Sequence, residues 1–119
     1  MRHQELSDRI IKGCYTVYNS LPRDLDEVLY RRALQIELQH LGLVGQSEVP
    51  FRVHYRGEVV GTYRADQVVN DLVIIELKTA ERLRPPHRMQ LARYLRLAER
   101  QVGLLLNFGD RAEVLRVDL

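Results

Sequence analysis

Apolar positions in the first third of the chain recur with the spacing of amphipathic helices. Over residues 6–21 they lie three or four residues apart, which predicts a first helix that ends before Pro22. The same spacing predicts a second helix over residues 25–41. Asp24 is a candidate N-cap for this second helix, and Gly42 is a candidate terminator.

The pattern then changes from helical spacing to alternation. Apolar and polar residues alternate over residues 49–55, which predicts a strand. A turn at residues 56–58 leads into a second strand over residues 59–69. Asn70 and Asp71 mark the next turn, and a third strand is predicted over residues 72–79. Three strands joined by short turns predict an antiparallel meander.

The last third of the chain predicts one helix followed by two strands. Residues 87–100 have helical spacing, and Pro85 and Pro86 suit the first turn of a helix. The apolar run 102–108 predicts a buried strand, and residues 113–118 predict a last strand. The resulting order, α-α-β-β-β-α-β-β, indicates an α/β fold. The segment 72–108 is long enough for a crossover, so we expect part of the sheet to be parallel.

Composition narrows the class of protein. The 119 residues are 45% hydrophobic and 29% charged, which is typical of one globular domain covering residues 1–119. The single cysteine, Cys14, cannot form an internal disulfide, and it favours a reducing, cytoplasmic location. No apolar run approaches the roughly 18 residues of a membrane span, and the first residues lack the apolar core of a signal peptide.

The basic residues are unevenly divided between arginine and lysine. The formal net charge of +2 permits a polyanionic partner without requiring one. The chain has 16 arginines and only two lysines, Lys12 and Lys78. Because a generic surface cation in this chain would be arginine, each lysine is a candidate for a role that needs a compact point charge.

Glu76 and Lys78 project from the same face of the predicted third strand. They share that face with Leu72 and Ile74, because side chains alternate along a strand. Burying either charge alone is costly, so each needs a partner or a metal ion. On this triplet alone, an ordinary ion pair at the end of a strand is the stronger interpretation.

Asp66 on the second strand changes this balance, on one geometric condition. A two-residue loop at Asn70 and Asp71 would pair position 66 with position 75, and Asp66 would face away from Glu76. A three-residue loop or a bulge would bring the two carboxylates together. With a backbone carbonyl such as that of Leu77, they could then hold Mg²⁺, with Lys78 beside them. Otherwise Asp66 is a solvated strand residue.

Three other polar residues are candidates for the same site. Glu27 fits a D-x-x-E capping box with Asp24, and local evidence favours capping over catalysis, although the two roles are compatible. Gln90 and Tyr94 are four residues apart, so they share one helical face. A surface glutamine and a half-buried tyrosine would explain that pair equally well.

These positions together resemble the PD-(D/E)XK nuclease superfamily, and within it the GxxExxY proteins. The matching stretches are residues 27–30, 63–66, 73–78, 87–95 and 103–109. The resemblance implies a restriction-endonuclease-like core with a mixed sheet flanked by helices. It also implies that Asp66 and Glu76 bind Mg²⁺ or Mn²⁺, that Lys78 assists the attacking water, and that Glu27 supports the metal site. Gln90 and Tyr94 match a later helical motif that often lines such sites.

One departure from the family pattern is visible. The glycine that gives the GxxExxY proteins their name is replaced by Asp24. The small turn before Glu27 is accordingly built from residues 22–26, which include a proline and two aspartates.

Three functions compete on this evidence. The first is a metal-dependent nuclease that hydrolyses phosphodiester bonds in DNA. The second is a non-catalytic nuclease-fold module that binds nucleic acid or a protein, and the third is a purely structural domain. A homodimer or a protein partner could supply the recognition surface that so short a chain lacks. The complete carboxylate and lysine set favours the nuclease.

Overall fold

Within residues 2–119, which a computed structural model describes, the chain forms helices and strands in the predicted order. Met1, the first residue of the predicted domain 1–119, lies outside the described residues. The helices are α1 (Gln4–Ser20), α2 (Glu27–His40) and α3 (Pro85–Ala98). The strands are β1 (Gly45–Tyr55), β2 (Glu58–Val69), β3 (Val73–Lys78), β4 (Val102–Phe108) and β5 (Ala112–Asp118).

The five strands form one mixed sheet in the order β1-β2-β3-β4-β5. Strands β3 and β4 are parallel, and the other neighbouring pairs are antiparallel. Helix α3 connects the two parallel strands, so the predicted crossover is confirmed. The α/β fold class with a mixed sheet is confirmed as well.

Each face of the sheet packs against its own helices. Helices α1 and α2 cover one face, where Leu34 and Ile75 belong to the same buried cluster. Helix α3 covers the other face, where Leu95 and Ile74 are buried together. The alternating side chains of β3 therefore contribute to two apolar cores, and β3 is the central strand of the sheet.

The start of α2 differs from the prediction. The helix begins at Glu27 with Asp26 as its N-cap, and no side-chain hydrogen bond caps it. Asp24 has a φ of 63°, which is a left-handed conformation, so it lies outside the helix. The prediction of an Asp24 cap and a D-x-x-E capping box is therefore wrong, and the Glu27 carboxylate has no capping role.

The end of α2 agrees with the prediction. Gly42 has a φ of 78°, a conformation that glycine adopts without steric cost. The Gly42 N–H donates to the Gln39 carbonyl and the Leu43 N–H donates to the Leu38 carbonyl, both at 2.9 Å. These two bonds define a Schellman motif and satisfy carbonyls at the helix end.

Two other boundaries shift for local reasons. Strand β1 begins four residues earlier than predicted, because Asn70 binds the Val44 N–H with its side chain and the Val44 carbonyl with its own N–H. Helix α3 ends at Ala98, two residues earlier than predicted, because Glu99 adopts a left-handed conformation with a φ of 55°.

A buried asparagine on β4 fixes the segment that follows β3. The Asn107 Oδ1 accepts the Ala80 N–H at 2.9 Å, and its Nδ2 donates to the Ala80 carbonyl at 3.0 Å. The same Nδ2 donates to Glu113 on β5. Asn107 is fully buried, so these contacts replace water for both main-chain groups of Ala80.

We predict that Asn107→Ala lowers the free energy of unfolding by about 2–4 kcal/mol, because both main-chain groups of the partly buried Ala80 lose their hydrogen-bond partners. Thermal unfolding measures the effect. Asn19→Ala, at an exposed position of α1, is the matched control and should leave the melting temperature unchanged. An Asn107→Ala melting temperature equal to that of the wild type would contradict this role.

Candidate active site

The connection between β2 and β3 determines which side chains meet. Val69 pairs with Val73, so three residues, 70–72, lie between the paired positions. The same register pairs Gln67 with Ile75, and its continuation places Asp66 opposite Glu76. The three-residue loop that a common carboxylate site requires is therefore present.

The alternation of side chains along β2 is broken close to Asp66. Ala65 and Val68 both pack into the core beneath α3, although residues three apart in a regular strand face opposite sides. On β1, Glu48 lies between the partners of Ala65 and Gln67 and has a φ of 53°. This irregularity directs Asp66 toward the edge of β3 and away from either core.

The Asp66 carboxylate accepts a hydrogen bond from β3 at the point where β2 and β3 separate. The regular pairing of these strands ends at Gln67 and Ile75, and the Leu77 N–H donates to the Asp66 Oδ2 at 2.7 Å. Arg31 on α2 lies 3.9 Å from the Asp66 Oδ1 and 3.2 Å from the Glu48 carboxylate. The side chain of Asp66 thus links the end of β3 to α2.

Glu76 is a buried acid, only 7% exposed. Burial, and then the charge of Asp66, raise its pKa to about 8, although the hydroxyl of Tyr63 and the charge of Lys78 act in the opposite direction. The Tyr63 hydroxyl donates a hydrogen bond to the Glu76 carboxylate. Burial and the neighbouring Glu76 in turn raise the pKa of Tyr63.

Lys78, Gln90 and Tyr94 lie on the α3 side of the sheet. The Lys78 ammonium donates to the Gln90 Oε1 at 3.1 Å. Tyr94 stacks on Tyr63, with ring centroids 3.8 Å apart and planes inclined by 16°. Gln90 and Tyr94 share one helical face, as their spacing predicts, and this face points toward Lys78 and Tyr63 on the sheet.

Glu27 approaches the site from α2. It is half-buried, and burial followed by the charge of Asp66 raises its pKa. The charges of Lys78 and Arg31 act in the opposite direction, which shows that Glu27 lies within electrostatic range of all three side chains. Helix α2 thus contributes a carboxylate to the same region as Asp66 and Lys78.

An open cleft of about 350 Å³ exposes part of this group to solvent. Its lining includes Glu76, Lys78, Gln90 and Tyr94. Among the described residues that line the cleft, Asp66 is absent. It contacts Glu76 at the edge of β3 instead. The site therefore has an open side beneath α3 and a closed side against α2.

Sequence reasoning did not find two residues of this site. Tyr63 belongs to the matching stretch 63–66 without a role of its own in the motif, and Arg31 belongs to no motif. Neither has a local signal, because a tyrosine in a strand and an arginine on a helix are ordinary residues. Their contacts with Glu76 and Asp66 appear only when the strand register is known.

The donor set fits a divalent cation that keeps part of its water shell. Within residues 2–119, no three side chains of the metal-binding types are grouped as ligands, so side chains supply at most the Asp66 and Glu76 pair. Burial of Glu76 and the charge of the adjacent Asp66 raise the Glu76 pKa by more than the nearby Lys78 lowers it, so this pair of carboxylates can accommodate a further positive charge. Mg²⁺ is commonly held by one or two carboxylates together with water and phosphate oxygens.

The Leu77 backbone is oriented toward the same position. Its N–H faces Asp66, and the N–H and C=O of one strand residue face the same neighbouring strand. The Leu77 carbonyl therefore lies on the Asp66 side of β3, where the sequence-based prediction requires a third oxygen donor.

The mixed sheet and the carboxylates on two adjacent strands define an α/β protein with a restriction-endonuclease-like core. The sequence pattern of the PD-(D/E)XK nuclease superfamily matches residues 4–117. The chain therefore belongs to the PD-(D/E)XK nuclease superfamily, whose members typically use divalent metals. Membership and fold together support a nuclease that acts on nucleic acid.

Two solved structures share this fold. The alkaline exonuclease LHK-Exo from Laribacter hongkongensis superposes with a TM-score of 0.57 at 12% identity, over 99% of this chain and 71% of the exonuclease. The crystal structure of SSO0001 gives a TM-score of 0.51 at 19% identity, over 95% of this chain and 76% of that protein. At these identities the likeness shows the fold alone.

The comparison with curated protein sequences gives no match to the chain. Among the described residues, no helix has both the length and the apolar character that a bilayer crossing requires, and the longest, α1, has 17 residues.

The raised pKa of Glu76 predicts the direction in which stability depends on pH. Because the folded protein holds this proton more tightly than the unfolded chain, the stabilisation is complete below about pH 4.5. It is lost as the pH rises toward 8. The melting temperature in EDTA should therefore fall between pH 5 and pH 8.

The side chain of Glu76→Gln is neutral at every pH, so the melting temperature of this variant should fall less steeply between pH 5 and pH 8. The fall that remains includes a contribution of the same sign from Glu27, whose pKa is also raised. Scanning calorimetry of both proteins measures the difference, and identical slopes would contradict the burial of an acid at position 76.

Proposed function

We propose that this chain is a Mg²⁺- or Mn²⁺-dependent nuclease that hydrolyses phosphodiester bonds in DNA. The observation that carries the proposal is the contact between Asp66 and Glu76, with Lys78 two residues further along the same strand face. Two acidic oxygen donors and a point charge beside a cleft are the groups that metal-assisted phosphodiester hydrolysis needs.

Each side chain has a distinct role in this proposal. Asp66 and Glu76 hold the divalent cation together with the Leu77 carbonyl, and Glu27 supports the charge balance from α2. A bound cation would lower the pKa of water and stabilise the charge that develops on the phosphate. The Lys78 ammonium orients the attacking water or a phosphate oxygen, and Gln90 holds that ammonium at 3.1 Å.

The arrangement around Glu76 also prepares the carboxylate for the cation. The Tyr63 hydrogen bond favours the ionised form of Glu76, which is the form that binds metal. Tyr63 itself stacks with Phe51 and with Tyr94, so two neighbouring rings hold its position. Tyr63 is therefore a positioning residue for Glu76 in this proposal.

We propose the GxxExxY proteins as the subgroup of the superfamily to which the chain is most similar. Support comes from Asp24, which replaces the glycine of the motif. Its φ of 63° lies in the left-handed region, which glycine enters freely and aspartate enters more readily than most other residues. The sequence departs from the pattern while the turn before Glu27 keeps a glycine-like conformation.

The two lysines of the chain allow a matched test. Lys78→Ala should reduce cleavage of labelled DNA in Mg²⁺ or Mn²⁺ by about a hundredfold or more, because a charge stabilising the reacting groups is lost. Lys12→Ala removes the other lysine, which is exposed on α1, and should cleave like the wild type. Melting temperatures of both variants check that they fold.

Two outcomes would contradict the proposal. Full cleavage by Lys78→Ala would exclude the role of this lysine. Metal binding by the wild type without cleavage of single-stranded or duplex DNA, or of RNA, would instead support the non-catalytic nuclease-fold module.

A further inference from the structure

A row of three aromatic rings ends at the cleft. Phe51 on β1 stacks on Tyr63 with centroids 6.0 Å apart, and Tyr63 stacks on Tyr94 at 3.8 Å. The planes of both pairs are within 18° of parallel. Tyr94 is the last ring of this row among the described residues, it is half-buried, and it lines the cleft.

The cleft combines two kinds of surface. Val53, Leu97 and Tyr94 make one part of its lining apolar or aromatic, while Glu76, Lys78 and Gln90 make another part polar. A single side chain joins the two parts, because Tyr63 contacts the Glu76 carboxylate with its hydroxyl and Tyr94 with its ring. A ligand with a flat ring next to an anionic group matches this combination.

The segment of the chain that lines the cleft is rich in basic residues. Arg64 lines the cleft and is exposed, and α3, which supplies Gln90, Tyr94 and Leu97 to the lining, has no acidic residue between Pro85 and Ala98. Residues 51–100 contain ten basic and six acidic residues, whereas the whole chain has a net charge of only +2. The positive charge is therefore concentrated in the half of the chain that forms the cleft, which favours a polyanion there.

We propose that Tyr94 and the apolar part of the cleft form a subsite for one unpaired nucleobase. This subsite lies next to the position of the phosphate that Asp66, Glu76 and Lys78 act on in the proposed function. This inference rests on the proposed function for the position of that phosphate. It adds the substrate class to that function, namely a single-stranded or frayed nucleic-acid strand. A base must leave its duplex stack before an aromatic side chain can cover its face.

The dimensions of the cleft favour one nucleotide over a duplex. A volume of about 350 Å³ lies at the lower end of the range of pockets that enclose a small ligand. Stacking on an aromatic side chain is tolerant of sequence, because every base has a π-face. The subsite therefore selects unpaired strands without selecting a particular base.

The test separates base stacking from phosphate binding. The full chain is titrated, in EDTA to prevent cleavage, with a 12-mer of oligo(dT) and with an abasic 12-mer that has the same phosphates. Wild-type protein should bind oligo(dT) at least about fivefold more tightly, since stacking adds about 1–3 kcal/mol per base. Oligo(rU) and a blunt duplex of equal length complete the set, and the duplex should bind less tightly than oligo(dT).

Variants then assign the stacking to one ring. Tyr94→Leu should lose the preference for oligo(dT) over the abasic strand, and Tyr94→Phe should keep it. Tyr15→Leu makes the same change at an exposed tyrosine on α1 and should also keep it. If Tyr94→Leu does not fold, quenching of a 2-aminopurine placed in oligo(dT) reports stacking with the wild-type protein.

The outcomes distinguish this inference from the proposed function. Equal binding of oligo(dT) and the abasic strand, or a preference that survives Tyr94→Leu, overturns the subsite even if DNA is cleaved in Mg²⁺. A preference that depends on Tyr94, without any cleavage, supports the subsite and overturns the proposed nuclease. Tighter binding of oligo(rU), with the same dependence on Tyr94, supports the subsite and identifies RNA as its strand.

Discussion

The contact between two carboxylates on adjacent strands is the constraint on which the site depends. Asp66 and Glu76 come together because three residues connect β2 and β3 and because the alternation of β2 breaks near Asp66. Burial makes this contact unfavourable when both groups are ionised, which raises the pKa of Glu76 to about 8. In the proposed nuclease, a bound cation would relieve that repulsion.

The rest of the fold holds this contact in place from two sides. On the α2 side, Arg31 lies near Asp66. Its positive charge lowers the pKa of Glu27, which burial and the charge of Asp66 raise. From α3, Gln90 contacts Lys78, and the tyrosine stack supports the hydroxyl that binds Glu76. The parallel crossover is what allows both layers to reach β3, because it places α3 on the face opposite α1 and α2.

Sequence reasoning predicted the order of the elements because hydrophobic periodicity is a local property. It predicted the pair of Asp66 and Glu76 only conditionally, since one residue of loop length decides which face Asp66 occupies. It failed at the start of α2, where Asp24 adopts a left-handed conformation that a capping pattern does not reveal. It did not find Tyr63, because a hydrogen bond across thirteen residues depends on the register of two strands.

The most direct measurement of the central claim is a calorimetric titration of the protein with Mn²⁺ and with Mg²⁺ at pH 8, with Asp66→Asn measured alongside. The account predicts saturable binding by the wild type and a loss of binding in Asp66→Asn, because the variant keeps the shape of the side chain without its charge. Repeating the titration with a non-hydrolysable DNA tests whether a phosphate oxygen completes the site. Absence of binding under both conditions, or equal binding by Asp66→Asn, would contradict a metal site built on these two carboxylates.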